Sequence, residues 1–371
     1  MHIFPLGMYC FFQRIRKRQA MVFIYLISTL FSWGKNQVIE GEVLSSILQA
    51  NENIDLNATV VFRTRSTQSI SGYRQSLMAL LAAYEKRNTK LVTPKNYPKI
   101  VIKLDTIAAP GLQVSRNLID GLLEILLTRG FSTDQVDFIA MKPENLKLSG
   151  YCHDLAGSLS YRGHVIRTPL DLEFFDSAWF HDSAMPPKEY DRAKFFLSYP
   201  LDRNKRLEEE RKSYLPKIFF GDQIYWINLA VAMDDANLGV DGAAINMSLG
   251  TVSNFRRFRD DPTLGSAAAT EILAIPKIWN KRLFSLIDLS RYQFAGGPLF
   301  DAEFLDSSPI LLLGENPLAV DRVAGSYITH SRKLHGMKKR NLENALIFQY
   351  AEELGLEAVS SPTIVDIPYF K

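Results

Sequence analysis

The alternation of apolar and polar positions along the front of the chain predicts strands separated by amphipathic helices. Apolar, β-branched runs mark the strands, and apolar residues at helical spacing mark the helices. The segments in chain order are a strand at Ala58–Arg63, a helix at Gly72–Lys86, a strand at Lys99–Asp105, a helix capped by Ser115 and ended by Gly130, and a strand at Gln135–Ala140. This order is typical of a mostly parallel sheet flanked by helices, so we predict an α/β fold.

The same pattern returns in the second half of the chain. Two apolar runs, Leu283–Leu289 and Ile310–Leu313, predict buried strands, and the second leads into a helix capped by Asn316. Between the halves, residues 142–216 are less regular, and we predict an insertion on the sheet in which the charged run Arg203–Lys212 is a solvated helix. Further strands are predicted at Lys217–Phe220, Ile224–Val231 and Thr363–Ile367, and further helices at Ala267–Ala274 and Leu342–Leu354.

The N-terminus has the layout of an export signal, because the basic cluster Arg14–Arg18 precedes the apolar run Ala20–Trp33. A bilayer-spanning helix needs roughly 20 residues, so a run of about 14 favours a signal segment over a stable span. The bulky residues at its end leave an uncleaved signal anchor open, and a translation start at Met21 is a third option. We therefore predict export to the periplasm or cell envelope, with or without anchoring in the membrane by this segment alone. The predicted organisation is a signal peptide or signal anchor at 1–34, a linker at 35–57 and one α/β domain at 58–371.

Composition and charge exclude several classes of function. The net charge of +3 over 371 residues is small, and outside the N-terminus no run of Lys and Arg suggests a nucleic-acid-binding face. The two cysteines, Cys10 and Cys152, form no Cys-x-x-Cys pair, so we expect neither an iron–sulfur cluster nor cysteine-bound zinc. The candidate chemistry therefore rests on carboxylates, amides, lysine and arginine.

Charged residues at the ends of predicted strands are the candidate catalytic and metal-binding residues, because α/β proteins place their sites there. Lys103 and Asp105 lie two positions apart and share a strand face, where they could bind an anion or act as an acid/base pair; a structural ion pair is the alternative. Asp288 ends another strand and is a candidate base or metal ligand. Asp321 lies just inside a helix, where the helix dipole alone also favours a carboxylate. Asp288 and Asp321, at what we expect to be adjacent strand ends, could together hold Mg²⁺ or Ca²⁺, with a carbonyl oxygen from Asn246 or Asn316.

Two glycine turns are candidates for binding an anionic ligand. The stretch Gly250–Asn254 joins a flexible turn to two arginines, whose guanidinium groups suit carboxylate and phosphate. The turn Gly296-Gly297 could let backbone N–H groups approach an anion, although such a pair is most often only a turn. Neither has the spacing of a P-loop, so nucleotide hydrolysis of that type is not supported. The candidate ligand-binding residues are Asn246, Asn254, Arg256, Arg257, Gly296, Gly297 and Arg322.

Several short motifs occur in a characteristic order, namely a lysine-bearing strand at Ile100–Asp105, the segment Ala244–Gly250, Leu286–Asp288 leading to Gly296–Pro298, and Asn316–Asp321. In these motifs the chain resembles, over roughly residues 60–366, a bacterial and archaeal family called domain of unknown function 362. The resemblance implies an α/β domain, often exported, with no settled activity. Many relatives carry ferredoxin-like cysteine clusters, and others carry a Lys and a His in the stretch corresponding to Ile227–Asn254. This chain has none of these, so the resemblance does not extend to direct electron transfer or to chemistry that needs that Lys and His.

Two hypotheses about function follow. The first is an exported or membrane-tethered α/β protein of the 362 family that binds a small anionic molecule, with a divalent metal as an option, at Lys103, Asp105, Asn246, Asp288 and Asp321. Whether it is an enzyme stays open. The second is a non-catalytic binding or assembly protein of the cell envelope, for which the leader and the aromatic-rich middle segment are the sequence support.

Overall fold

The structure is a computed structural model that describes residues 58–183, 185–338, 340, 342–356 and 361–369. The predicted signal or anchor segment at 1–34 and the linker at 35–57 lie outside the described residues, and so do Cys10 and Met21. Among the described helices, none combines the length and the apolar character that a membrane-spanning segment needs.

A mixed sheet of nine strands forms the centre of the described part of the chain, with the strand order β15-β1-β14-β11-β8-β2-β3-β5-β4. Its neighbours pair in parallel except where β14 meets β1 and β11 and where β4 meets β5. The α/β fold with a mostly parallel sheet is therefore confirmed. The strands are β1 (Val60–Arg65), β2 (Lys99–Leu104), β3 (Val136–Ile139), β4 (Ser160–Tyr161), β5 (His164–Arg167), β6 (Phe175–Asp182), β7 (Lys212–Pro216), β8 (Ile224–Ala230), β9 (Met233–Asp235), β10 (Gly239–Asp241), β11 (Arg282–Asp288), β12 (Tyr292–Gln293), β13 (Leu305–Asp306), β14 (Ile310–Gly314) and β15 (Thr363–Asp366).

Helices cover both faces of this sheet. The helices are α1 (Ile70–Asn88), α2 (Arg116–Thr128), α3 (Pro143–Leu148), α4 (Glu189–Ser198), α5 (Arg203–Arg211), α6 (Ala243–Met247), α7 (Pro262–Leu273), α8 (Pro276–Trp279), α9 (Pro317–Leu334) and α10 (Leu346–Glu353). On one face, Ile100 and Ile102 of β2 pack in the same core as α1 and α2. On the other face, Val101 packs with α6, α7 and α10. Because side chains alternate along a strand, Lys103 lies on the face of Val101, beneath α6.

A second, four-stranded sheet lies just beyond the carboxyl ends of two central strands, with the order β10-β9-β12-β13. Its strand β9 begins three residues after β8 ends, and β12 begins four residues after β11 ends. The segments that leave β8 and β11 therefore pair with one another again, through Gln293 and Met233. This pairing keeps the carboxylates that follow β8 close to the edge of the central sheet.

The predicted elements match the structure closely, with four differences. Ser115 lies at the N-cap of α2 as predicted, but its side chain makes no capping hydrogen bond. Lys217–Phe220 forms a 3-10 helix, so the strand predicted there is wrong; Pro216 and Gly221 bound a piece too short for a ladder. The helix predicted at Ala267–Ala274 begins earlier, at Pro262, because the side chain of Asp261 caps it. The helix predicted at Leu342–Leu354 is divided into a 3-10 turn at Leu342–Asn344 and α10.

The middle of the chain contributes both to the sheet and to its surroundings. Strands β4 and β5 extend the central sheet beyond β3, whereas β6 and β7 form a separate antiparallel pair. The charged run predicted as a solvated helix is α5, and none of its nine residues, all of them described, is buried. Helices α4 and α5 contact each other and lie at the surface.

Candidate functional site

Lys103 is the centre of a polar cluster inside the protein. Its side chain is 1% exposed, and Nζ donates hydrogen bonds to Oδ1 of Asn246 at 2.7 Å and to the backbone oxygen of Leu104 at 3.1 Å. Burial lowers the pKa of Lys103 to about 8, while the carboxylates of Asp105 and Asp241 act in the opposite direction. A lysine with such a pKa can hold or release a proton near neutral pH.

A row of polar side chains crosses three parallel strands at the level of Lys103. In the register of the sheet, Lys103 on β2 lies beside Asn228 on β8, and Asn228 lies beside Ser285 on β11. Asn228 donates to Oγ of Ser285 at 3.0 Å and accepts a hydrogen bond from Nδ2 of Asn246 at 2.7 Å. Asn246, on α6, therefore closes a chain of hydrogen bonds from Lys103 to β11. The row lies among apolar side chains and requires these partners, because an unpaired buried amide is costly.

Asp105 follows Lys103 at the carboxyl end of β2. Its carboxylate accepts hydrogen bonds from the backbone N–H of Ile107 at 3.2 Å and, more weakly, of Val231 at 3.4 Å. Burial raises the pKa of Asp105, and the positive charge of Lys103 opposes that rise. Lys103 and Asp105 therefore share one environment, as their spacing on the strand predicts.

Asp321 reaches the same cluster from α9. Its two oxygens accept hydrogen bonds from the backbone N–H groups of Ala243 at 2.6 Å and Ala244 at 2.8 Å, which begin α6. The sequence places Asp321 near the start of its own helix, but the helix terminus that it binds is that of α6. Burial raises the pKa of Asp321 to about 8, although the two N–H donors act in the opposite direction.

Three further charged residues belong to the cluster and were not predicted from the sequence. Arg259 donates from Nη1 to Asp241 at 2.6 Å and to Asp235 at 3.1 Å, and all three side chains are buried. Burial raises the pKa of Asp241 to about 6, against the attraction of Arg259. Among the described residues, Nη2 of Arg259 has no hydrogen-bond partner. The sequence signal that could have found Asp235 is its position shortly after the strand Ile224–Ala230.

The charges of this buried cluster do not balance. We define it as Lys103, Asp105, Asp235, Asp241, Arg259 and Asp321 with the amides of Asn228 and Asn246. With every group ionised, it has four carboxylates and two cations. An excess of negative charge inside a protein is strongly unfavourable, so the cluster must hold protons or an additional cation. Burial raises the pKa values of Asp321 and Asp241, which favours protonation of these two carboxyls.

Asp288 lies outside this cluster. It accepts hydrogen bonds from the hydroxyl of Tyr73 on α1 and from N and Oγ of Ser290, both at 2.9 Å. Ser285 and Asp288 are three positions apart on β11, so they project from opposite faces of the sheet. Burial raises the pKa of Asp288, and the Tyr73 hydroxyl opposes that rise.

The expectation that Asp288 and Asp321 share a metal site at adjacent strand ends is wrong for a topological reason. Strand β14 is antiparallel to β11, and Asp288 pairs with Leu311 at the start of β14 instead of its end. The helix that carries Asp321 therefore begins at the opposite edge of the sheet. Asn316, the other suggested metal ligand, caps that helix by accepting from the N–H of Leu318 at 3.0 Å. Within the described ranges, no group of three or more His, Cys, Asp or Glu side chains is arranged to hold one metal ion.

The arginines of the predicted anion-binding turn bind groups of the chain itself. Arg256 forms an ion pair with Asp191 at 3.0 Å. Arg257 is buried and donates to the backbone oxygens of Met185 at 2.8 Å and Lys212 at 3.0 Å. Both guanidiniums therefore join the turn to the middle segment. Asn254, in the same turn, has a positive φ of 54° and precedes a 3-10 helix.

The remaining candidates also have structural contacts. A Cβ atom on Gly297 would lie 1.5 Å from the backbone oxygen of Asp234, so glycine is required where the turn crosses β9. Gly296 has a φ of +81°, which favours glycine. The guanidinium of Arg322 lies 4.1 Å from the centre of the Phe348 ring and 3.8 Å from Glu352. Of the predicted site residues, the structure brings together Lys103, Asp105, Asn246 and Asp321.

Comparison with known proteins supports no argument about the fold or the site. No family model matches the chain, and no curated protein matches it. Among solved structures, the chain is similar to a protein from Thermotoga maritima whose crystal structure was determined by the Northeast Structural Genomics Consortium. The two are 14% identical, and the match covers 71% of this chain and 60% of the other, with a TM-score of 0.35. At this level the match supports no statement about the site.

Proposed function

We propose that the protein binds a small anionic molecule together with a divalent cation at the buried cluster. The observation that carries this proposal is the excess of carboxylates around Lys103 and Arg259. One divalent cation would neutralise the two excess negative charges. The ammonium of Lys103 and the unpartnered Nη2 of Arg259 could then bind an anion.

The arrangement of the carboxylates favours a cation that arrives with its ligand. Most of the carboxylate oxygens already accept hydrogen bonds from the protein, as those of Asp105 and Asp321 do. A Mg²⁺ ion is commonly held by one or two carboxylates, water and the oxygens of a phosphate, without a complete cage of protein ligands. A Mg²⁺ ion that arrives with a phosphorylated or carboxylated molecule therefore fits the few remaining free carboxylate oxygens better than a metal held by protein ligands alone.

We also propose that the chain is a member of the domain of unknown function 362 family. Three segments that carry the resemblance supply side chains to the cluster, namely Ile100–Asp105, Ala244–Gly250 and Asn316–Asp321. They are far apart in the sequence, and a shared site is a physical reason for them to occur together. Export or tethering through residues 1–34 belongs to the same proposal, and protease protection of intact cells that express the full chain tests it. Degradation only after lysis of every membrane would contradict export.

Mn²⁺ can be used in place of Mg²⁺ to test the binding site. The electron paramagnetic resonance signal of free Mn²⁺ decreases as the ion binds, so it measures uptake directly. We would titrate the full chain with Mn²⁺ alone and with Mn²⁺ plus inorganic phosphate. We expect about one ion per chain, bound more tightly with phosphate. Lys103→Met should remove the effect of phosphate, and Asp321→Asn should weaken uptake of the ion.

A matched control comes from the other face of the sheet. Asp288 is also a buried carboxylate at a strand end, but it lies with Tyr73 outside the cluster. Asp288→Asn should therefore bind Mn²⁺ and phosphate as the unaltered chain does. No uptake by the unaltered chain, or equal losses in the Asp288 and Asp321 variants, would overturn the proposal.

A further inference from the structure

Helices α4 and α5 form a helical pair that contributes almost nothing to the core. In α4 only Asp191 is buried, and in α5, which is described throughout, no residue is buried. The two helices contact each other and are joined by a turn of four residues. We call residues 194–206 the hairpin tip; they comprise the end of α4, this turn and the start of α5.

The hairpin tip exposes large apolar side chains. Leu197 is 83% exposed, Leu201 is 97% exposed and Phe196 is half exposed. These residues lie within six positions of one another, on either side of Pro200. Exposed apolar side chains clustered on a projecting element mark an interaction surface more often than scattered ones do.

Cationic side chains surround these apolar residues. The hairpin tip contains Lys194, Arg203, Lys205 and Arg206 and one acidic residue, Asp202. The guanidinium of Arg206 lies 3.9 Å from the centre of the Phe196 ring, and Nζ of Lys205 lies 5.1 Å from that of Tyr199. Two aromatic rings of the hairpin tip therefore contact its cations, and rings beside basic residues are common in segments that bind the interface of a bilayer.

We propose that the hairpin tip binds the surface of a membrane that contains anionic lipids. Leu197, Leu201 and Phe196 would enter the boundary between headgroups and acyl chains, and the exposed Lys194, Arg203 and Lys205 would bind lipid phosphates. A protein partner would also cover apolar residues, but the concentration of cations around them favours a negatively charged surface. This contact is independent of residues 1–34 and of the buried cluster.

A fluorescent label on the hairpin tip tests insertion directly in the full chain. The background is Cys10→Ser/Cys152→Ser, with Leu201→Cys labelled by an environment-sensitive dye. Leu172→Cys is the matched control, because Leu172 is also 97% exposed but lies outside α4 and α5. Vesicles of phosphatidylcholine with phosphatidylglycerol should shift the emission of the Leu201 label to the blue and leave the Leu172 label unchanged. The site-specific label separates insertion of the tip from binding through the N-terminal apolar run.

A charge variant separates the contribution of the cations. Arg203→Glu/Lys205→Glu, in the same labelled background, should require at least about thirtyfold more anionic lipid for half of the shift, because the loss of two basic residues near such a surface corresponds to about 2 kcal/mol. Both residues are exposed, so the variant should retain the circular dichroism of the unaltered chain. No shift at Leu201, an equal shift at both labels, or a shift without vesicles that grows with protein concentration would overturn the proposal; the last result would indicate self-association.

Discussion

Lys103 shows how a single residue can determine the chemistry around it. Its position two residues before Asp105 was sufficient to predict that both share a face of the sheet, because side chains alternate along a strand. The sequence could not predict that Arg259 also reaches this face, since Arg259 lies in a 3-10 helix far along the chain. Asp235 and Asp241 were missed because they lie in β9 and β10, two short strands that were not predicted from the sequence.

Replacing Lys103 by Met should destabilise the protein. The change leaves Oδ1 of Asn246 without its donor and increases the excess negative charge of the cluster. We expect the free energy of unfolding to fall by about 1–3 kcal/mol, the cost of an unsatisfied buried polar group. Urea unfolding measures this free energy, and Lys95→Met is the control because Lys95 is exposed. Equal stability of the Lys103 variant and the unaltered chain would show that the ammonium has no structural role.

Asp321→Asn should change how stability depends on pH. The folded-state pKa of Asp321 is raised to about 8, so between about pH 4 and pH 8 the folded chain binds more protons than the unfolded chain. The free energy of unfolding therefore falls as pH rises through this window, and the asparagine variant lacks that contribution. As the pH rises from 5 to 7.5, the free energy of unfolding of the variant should increase relative to that of the unaltered chain. Urea unfolding at a series of pH values measures this difference. If the difference in the free energy of unfolding between the two chains did not change with pH, Asp321 would be ionised throughout this range.

At the scale of elements, apolar runs predicted the existence of strands better than their direction. Leu283–Leu289 and Ile310–Leu313 were both predicted as buried strands, and both are strands. An apolar run contains no information about parallel or antiparallel pairing, and the connection between the two permits either. Without that information, Asp288 and Asp321 were predicted to lie together. In the structure β14 runs antiparallel to β11, and this direction separates the two residues.

The start of α6 gives a prediction at the same scale. A Cβ atom on Gly242 would lie 2.2 Å from Oδ1 of Asp321, so Gly242→Ala should displace the carboxylate from the N–H groups of α6. We expect a loss of about 1–3 kcal/mol in the free energy of unfolding. In Asp321→Ala the carboxylate is absent, so adding Gly242→Ala should cost less there. Additive losses in this double-mutant cycle would show that the two residues act independently.

At the scale of the whole molecule, the sheet brings distant segments to one place and leaves others apart. Residues 103, 246 and 321 meet because parallel strands β2 and β8 end at one edge and because α6 and α9 cover the same face. The arginines at 256 and 257 instead bind groups of the middle segment. Their position after a glycine turn, which predicted an anion-binding site, therefore serves packing. Which polar residues converge depends on the connections between elements, and local sequence patterns contain little of that information.

The most direct test of the account is anomalous diffraction from crystals of the protein soaked with Mn²⁺ and inorganic phosphate. We expect one manganese peak within the buried cluster, held by one or two of its carboxylates, with phosphate density against Nζ of Lys103. The cluster is buried, so we also expect the segments that cover it to move when the ligand binds. A peak at Asp288 or at the surface alone, or a cluster without manganese after binding has been measured in solution, would contradict the central claim.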